Sequence, residues 1–215
     1  MASGTIILRG GIELEHPLEL ALELLEAYSS YEAGDSSGPA SFDESDLRHA
    51  NRGGARISAT EIAAVLERRG EIEGALREIH ADASLADATG SIPWVPLTQL
   101  FDAFADIRGV GFSKMTKALH RKRPALIPML DSVVQAYLTG DDPGTRSSAS
   151  FGKRATALVH GYKRDLDRNL SVLREIQREL GRRTYRVTEV RILDLLIWSL
   201  STTQQSRERN ADGRG

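Results

Sequence analysis

Apolar residues recur at spacings of three and four along most of this chain, and that period limits what it can fold into. Leu166, Leu170, Leu173, Ile176 and Leu180 fall on one stripe, and so do Leu18, Leu22, Leu25 and Tyr28. Side chains three and four apart share one face of a helix, whereas a strand alternates every second residue. The pattern therefore predicts an all-α, multi-helix globular fold. With 215 residues and 40% hydrophobic content there is enough apolar material for one cored domain. We expect a single helical domain over residues 1–201 and a polar, disordered tail over 202–215.

Local signals divide the pattern into elements. Pro17, after His16, suits the first position of a helix. Ser41–Glu44 and Ser58–Glu61 each have the form of a capping box. The first would open a helix to about His49, stopped by Arg52-Gly53-Gly54; the second opens a helix with a break at Gly70. Helices are expected over Leu97–Asp106 and Phe112–Arg121, joined by a tight turn at Ile107–Gly111. Pro124–Leu130 reads as a non-helical crossing, after which Asp131 caps a helix to about Leu138. Asp141-Asp142 belongs to a turn. The C-terminal helices, within 147–201, are Ser150–Tyr162, Leu166–Leu180 and Glu189–Leu200. Gly4–Gly11 is either a short strand or an extended arm.

Composition removes several kinds of chemistry. Without cysteine there are no disulfides, thiolate metal sites or thiol nucleophiles. The five histidines have no metal-ligand spacing, and no P-loop, dinucleotide fingerprint or nucleophile elbow is present. No apolar run approaches the twenty residues of a membrane span, and Met1–Arg9 does not read as a secretory signal. A cytoplasmic protein is the expectation. The net charge is -2, yet the first half of the chain is acidic and the second half basic. Such polarity suits a nucleic-acid partner, or head-to-tail pairing in a homo-oligomer.

The most informative stretch is Ile107-Arg108-Gly109-Val110-Gly111-Phe112-Ser113-Lys114. Two glycines around an apolar residue allow a sharp bend and close approach of an anion to main-chain N–H groups at the start of a helix. Val110 would pin the bend to the core. Arg108, Gly109, Val110, Gly111, Ser113, Lys114 and Lys117 are the candidate DNA-backbone contacts, with Arg121, Lys122 and Arg123 as further cations. A plain helical hairpin with a solvated basic end is the alternative.

This segment resembles the helix-hairpin-helix motif, here an element over residues 97–121, with Ile107 and Arg108 in place of the usual Leu-Pro before Gly-Val-Gly. Over about 96–138 the chain is similar to the helix-hairpin-helix DNA glycosylase superfamily, in which an aspartate about twenty residues beyond the second glycine is catalytic. Asp131 stands at that spacing and opens a helix after Leu126-Ile127-Pro128-Met129-Leu130. The resemblance implies a DNA-glycosylase-like fold, DNA as partner through its phosphate backbone, a monovalent cation at the hairpin and no other cofactor. It makes Asp131 the catalytic residue of a base-excision N-glycosylase. Ser113 occupies the place of the Schiff-base lysine of bifunctional members, so the implied reaction has no lyase step. The family's Thr-His-Val and following Arg are only partly kept: Ser132 and Val134 fit, Val133 and Ala136 do not. A catalytically inactive DNA-binding or protein-interaction module is therefore the other reading. Trp94, Phe101, Phe112 and Trp198 are candidates to stack on a base or to fill the core. The whole chain is also similar to an uncharacterised bacterial family marked by Lys122-Arg123-Pro124-Ala125-Leu126-Ile127-Pro128, Asp131 and the helix Arg191-Ile192-Leu193-Asp194.

Overall fold

The computed structural model describes residues 4–32, 37–143 and 148–212. It is mostly helical: α1 Pro17–Ala27, α2 Ser29–Glu32, α3 Glu44–Arg52, α4 Ala59–Glu67, α5 Arg69–Arg77, α6 Trp94–Asp102, α7 Phe112–His120, α8 Ser132–Tyr137, α9 Phe151–Arg182 and α10 Glu189–Asp212. The Gly4–Gly11 segment contains a two-residue strand, Ile6–Ile7, followed by a 3-10 turn at Arg9–Gly11. β1 Ile6–Ile7 pairs antiparallel with β2 Glu13–Leu14. Gly10 and Gly11, both with φ above 70°, make the reversal between them. The outer edge of β1 is closed by α9, where Asn169 accepts from the Ile7 N–H at 2.8 Å and donates to its carbonyl at 2.9 Å.

Helix starts follow the local signals. Pro17 is at the first position of α1. Ser58 and Glu61 form the reciprocal capping box of α4. In α3 the box is shifted: Asp43 is the cap and Asp46 its partner, so the helix begins at Glu44. The break between α4 and α5 falls at Arg68, and Gly70 sits inside α5.

The C-terminal third departs from the reading in sequence. The two helices expected over Ser150–Tyr162 and Leu166–Leu180 are one 32-residue helix, α9. Between the two expected helices Arg164 is exposed, while Lys163 and Asp165 are buried and paired. Lys163 donates to the carbonyls of Leu85 and Asp87, each at 3.0 Å, and Asp165 accepts from Arg9 at 2.6 Å and Arg168 at 3.0 Å. The last helix was expected to stop at Leu200 and runs to Asp212. Beyond Leu200 the sequence is polar, with no apolar stripe to mark a helix.

One contiguous apolar cluster reaches from Ile6 to Ile197. Its densest seam is α6 against α9, where Gly152 lets the helices approach closely and Thr98 meets Thr156 at 2.8 Å. No described helix is long and apolar enough to cross a membrane. Lys122 and Arg123 are not surface cations. Lys122 is buried against Asp46 at 2.7 Å, and Arg123 is spent on main-chain carbonyls at the end of α5. Neither reaches a phosphate in this fold.

Candidate active site

Asp131 caps α8 as its position predicts. Its Oδ1 accepts from the N–H groups of Val133 and Val134, both at 3.1 Å. Capping uses only that oxygen. Oδ2 accepts from the Trp198 indole N–H at 2.9 Å and lies 4.0 Å from the Lys117 ammonium. Three donors and a nearby cation hold the carboxylate in one orientation.

Asp131 lines a cavity of about 50 Å³ walled also by Tyr28, Tyr31, Gly53, Lys117, Met129, Val134, Arg191, Asp194, Leu195 and Trp198. The walls come from α2, α7, α8 with its cap, α10, the crossing between α7 and α8, and the residues that end α1 and α3. Tyr28 and Trp198 meet edge to face with centroids 5.2 Å apart. Tyr31 seats its ring over Gly53, where a Cβ would collide with it. The Gly53 carbonyl accepts from Lys117 at 2.9 Å. Burial lowers the pKa of Lys117, and Asp131 holds it partly back up. The Arg191 guanidinium lies 5.5 Å from the centre of the Tyr31 ring.

Asp194 stands at the back of the same cavity, on α10. Its Oδ2 accepts from the Met129 N–H at 3.1 Å. Among the described residues its buried Oδ1 has no hydrogen-bond partner. Burial pushes this carboxyl up to about 8, against a partial pull downward from Arg191. The cavity thus has two carboxyl groups in opposite surroundings: one ringed by donors, one desolvated.

The glycine bend lies at the other end of α7. Ile107 and Val110 anchor it to the core, while Arg108, Gly109 and Gly111 are exposed. Gly109 needs its glycine, with φ at +85°. Gly111 does not: it is extended, with open space where a side chain would go. It begins α7 without a side-chain cap, so the first amides of the helix have no capping side chain, beside half-buried Ser113. Lys114 is engaged by Glu61, its Nζ lying 2.6 and 2.8 Å from the two carboxylate oxygens. The Glu61 carboxylate also fills the space where a side chain on Gly109 would sit.

Of the predicted site residues, the structure brings Asp131 and Lys117 together with Trp198 in one cavity. Arg108, Gly109, Val110, Gly111, Ser113 and Lys114 form a separate group that shares no lining residue with it. Of the other aromatic candidates, Phe101 and Phe112 are buried, and Trp94 stacks on His160 at 3.7 Å between ring centres. Tyr28, Tyr31, Arg191 and Asp194 were missed as site residues. The signal for Asp194 was an acid set in the apolar run Ile192–Ile197; nothing local marks the two tyrosines.

No curated protein and no solved structure matches the chain at a significant level. A family model matches residues 22–201, a span that contains every residue lining the Asp131 cavity. The chain belongs to this family, a family of unknown function (DUF6308).

Proposed function

We propose that this protein binds DNA and that the Asp131 cavity receives a single extruded base, whose bond to the sugar is hydrolysed with the help of the Asp131 carboxylate. The observation that carries the reading is the placement of that carboxylate: held by two amides and an indole, 4.0 Å from an ammonium, on a wall shared with Tyr28, Tyr31 and Trp198. Aromatic faces suit a planar ring, and a fixed carboxylate stabilises positive charge as it builds on the sugar. The bond electrons leave with the base, a water oxygen bonds to C1′, and a proton of that water returns to the base through solvent. Lys114 is tied to Glu61, and Lys117, the amine in the cavity, is held by the Gly53 carbonyl; the reading has no lyase step. The cavity as it stands has room for only a few waters, so base entry requires the Tyr28–Trp198 pair to swing aside.

The bare start of α7 at Gly111 supports backbone contact, since N–H groups and the helix dipole attract a phosphate there. On this reading Arg108, Gly109, Val110, Gly111, Ser113 and Lys114 contact the backbone, with a monovalent cation bridging at the bend, once the Glu61–Lys114 pair opens. The test is base release from duplexes carrying a panel of damaged or mismatched bases, by wild type and Asp131→Asn. We expect release by wild type and a loss of at least about 100-fold in the variant. Release that is unchanged in Asp131→Asn rejects the catalytic assignment.

A second reading has its own observation: both Asp131 oxygens are already engaged, as in a purely structural cap. On that reading the protein binds duplex with steep salt dependence and releases nothing.

A further inference from the structure

We infer that Asp194 is the second working carboxyl of this cavity, giving a hydrogen bond, and in the reaction a proton, to an acceptor atom on the bound ring. The inference rests on the base-binding reading above and names the substrate class more closely: a base that presents a ring nitrogen or carbonyl to the back wall. Asp194 is 3% exposed and lines the cavity. One of its oxygens is fixed by the Met129 N–H, and the other has no partner among the described residues. A buried polar atom without a partner costs stability, so its retention next to a cavity points to a ligand that satisfies it. Arg191 on its own helix, Asp131 across the cavity and Tyr162 from α9 act on it, and Lys117 from α7, Tyr28 and Tyr31 share the cavity with it. The Tyr162 hydroxyl stands beside the Asp194 carboxyl and donates to the Val190 carbonyl at 2.6 Å. Desolvation keeps the Asp194 carboxyl protonated at neutral pH.

The two carboxyls then divide the chemistry. Asp131, ringed by donors, faces developing positive charge on the sugar. Asp194, kept protonated, faces the departing base. As the C1′–N bond breaks, its electron pair goes to the base and the Asp194 proton follows. Water bonds to C1′ and gives up its proton to Asp131, which passes it to solvent. Asp194 is reprotonated from solvent, and the sum is hydrolysis.

The test is binding of 9-methylpurine, with acceptor-free 1-methylindole as reference, by calorimetry from about pH 6 to about pH 9. Neither probe titrates in that range, so pH dependence belongs to the protein. We expect wild type to prefer the purine by about 10-fold and to lose that preference through the pH at which Asp194 ionises. Asp194→Asn keeps a donor and should hold the preference flat across the range; Asp194→Ala should abolish it. A preference that is flat in wild type, or that persists in Asp194→Ala, overturns the inference while leaving the base-binding reading intact. Failure of wild type to bind 9-methylpurine overturns both. Should Asp194→Ala not fold, the wild-type and Asp194→Asn profiles decide alone.

Discussion

Replacing Arg123 by Met tests whether the basic run after α7 belongs to the fold or to a ligand. Arg123 is 2% exposed. Its guanidinium donates to the carbonyls of Leu76 at 2.6 Å, Ile79 at 2.6 and 3.2 Å, Pro39 at 2.7 Å and Lys122 at 2.7 Å. Leu76 and Ile79 lie at the end of α5, whose last carbonyls have no partner within the helix, and a cation there also meets the favourable end of the dipole. Methionine fills much of the volume and donates nothing. Each hydrogen bond from a charged donor contributes about 1.5–3 kcal/mol, and leaving the carbonyls dry adds to the loss. The desolvation that Arg123 suffers in the wild type offsets part of it. The net expectation is a loss of about 3–5 kcal/mol, near the upper end for one substitution. At roughly 2–4 °C per kcal/mol for a chain of this size, Tm falls by about 10 °C. Urea and thermal unfolding followed by circular dichroism measure both quantities, with Arg123→Lys expected in between. Stability within about 1 kcal/mol of wild type, together with weakened duplex binding, would refute the argument and return Arg123 to the phosphate contacts.

Three further outcomes follow from the same structure. Glu61→Gln removes a carboxylate beside Gly109 and weakens the hold on Lys114, so duplex binding at low salt should tighten several-fold with a steeper salt dependence; unchanged binding in a salt titration would count against phosphate contact at the bend. Gly152→Ala drives a methyl into the Thr98 carbonyl and the Asp102 carboxylate at the α6–α9 seam, and should cost about 1–3 kcal/mol in denaturant unfolding; a neutral result would mean that the seam is looser than described. The third concerns pH. Asp194 holds its proton in the fold up to about 8 but releases it near pH 4 when unfolded, so its contribution to stability is complete in acid and is lost as pH rises through about 8. His120, pushed down to about 3 by burial and Arg191, runs the other way: its contribution is present above about 6.5 and is lost as pH falls toward 3. The stability of wild type relative to Asp194→Asn should therefore decline from about pH 5 to about pH 8, and a constant difference in denaturant midpoints would contradict that assignment.

Signals that depend on the next few residues were legible in the sequence. The Leu166–Leu180 stripe, Pro17 opening α1, the Ser58–Glu61 box, the bend at Ile107–Gly111 and the Asp131 cap are settled within about one helical turn, and the structure contains each of them. Errors at this level concern where a helix stops. The Lys163-Arg164-Asp165 stretch read as an end because charges on a helix usually face water, and here two of the three are buried against residues remote in sequence.

What the chain composition and spacing determined is a helical protein with an acid at the start of a helix, twenty residues past a glycine bend. Only the tertiary structure decided what that acid faces and which cations are left to meet a ligand. The cavity gathers Tyr28, Gly53, Lys117, Asp131 and Trp198 from across the chain. Lys122 and Arg123 look like Lys114 and Lys117 in sequence, yet the packing of α3 and α5 buries them. Local conformation is set by neighbours along the chain, whereas the solvation and pairing of a charge are set by whatever the fold brings against it.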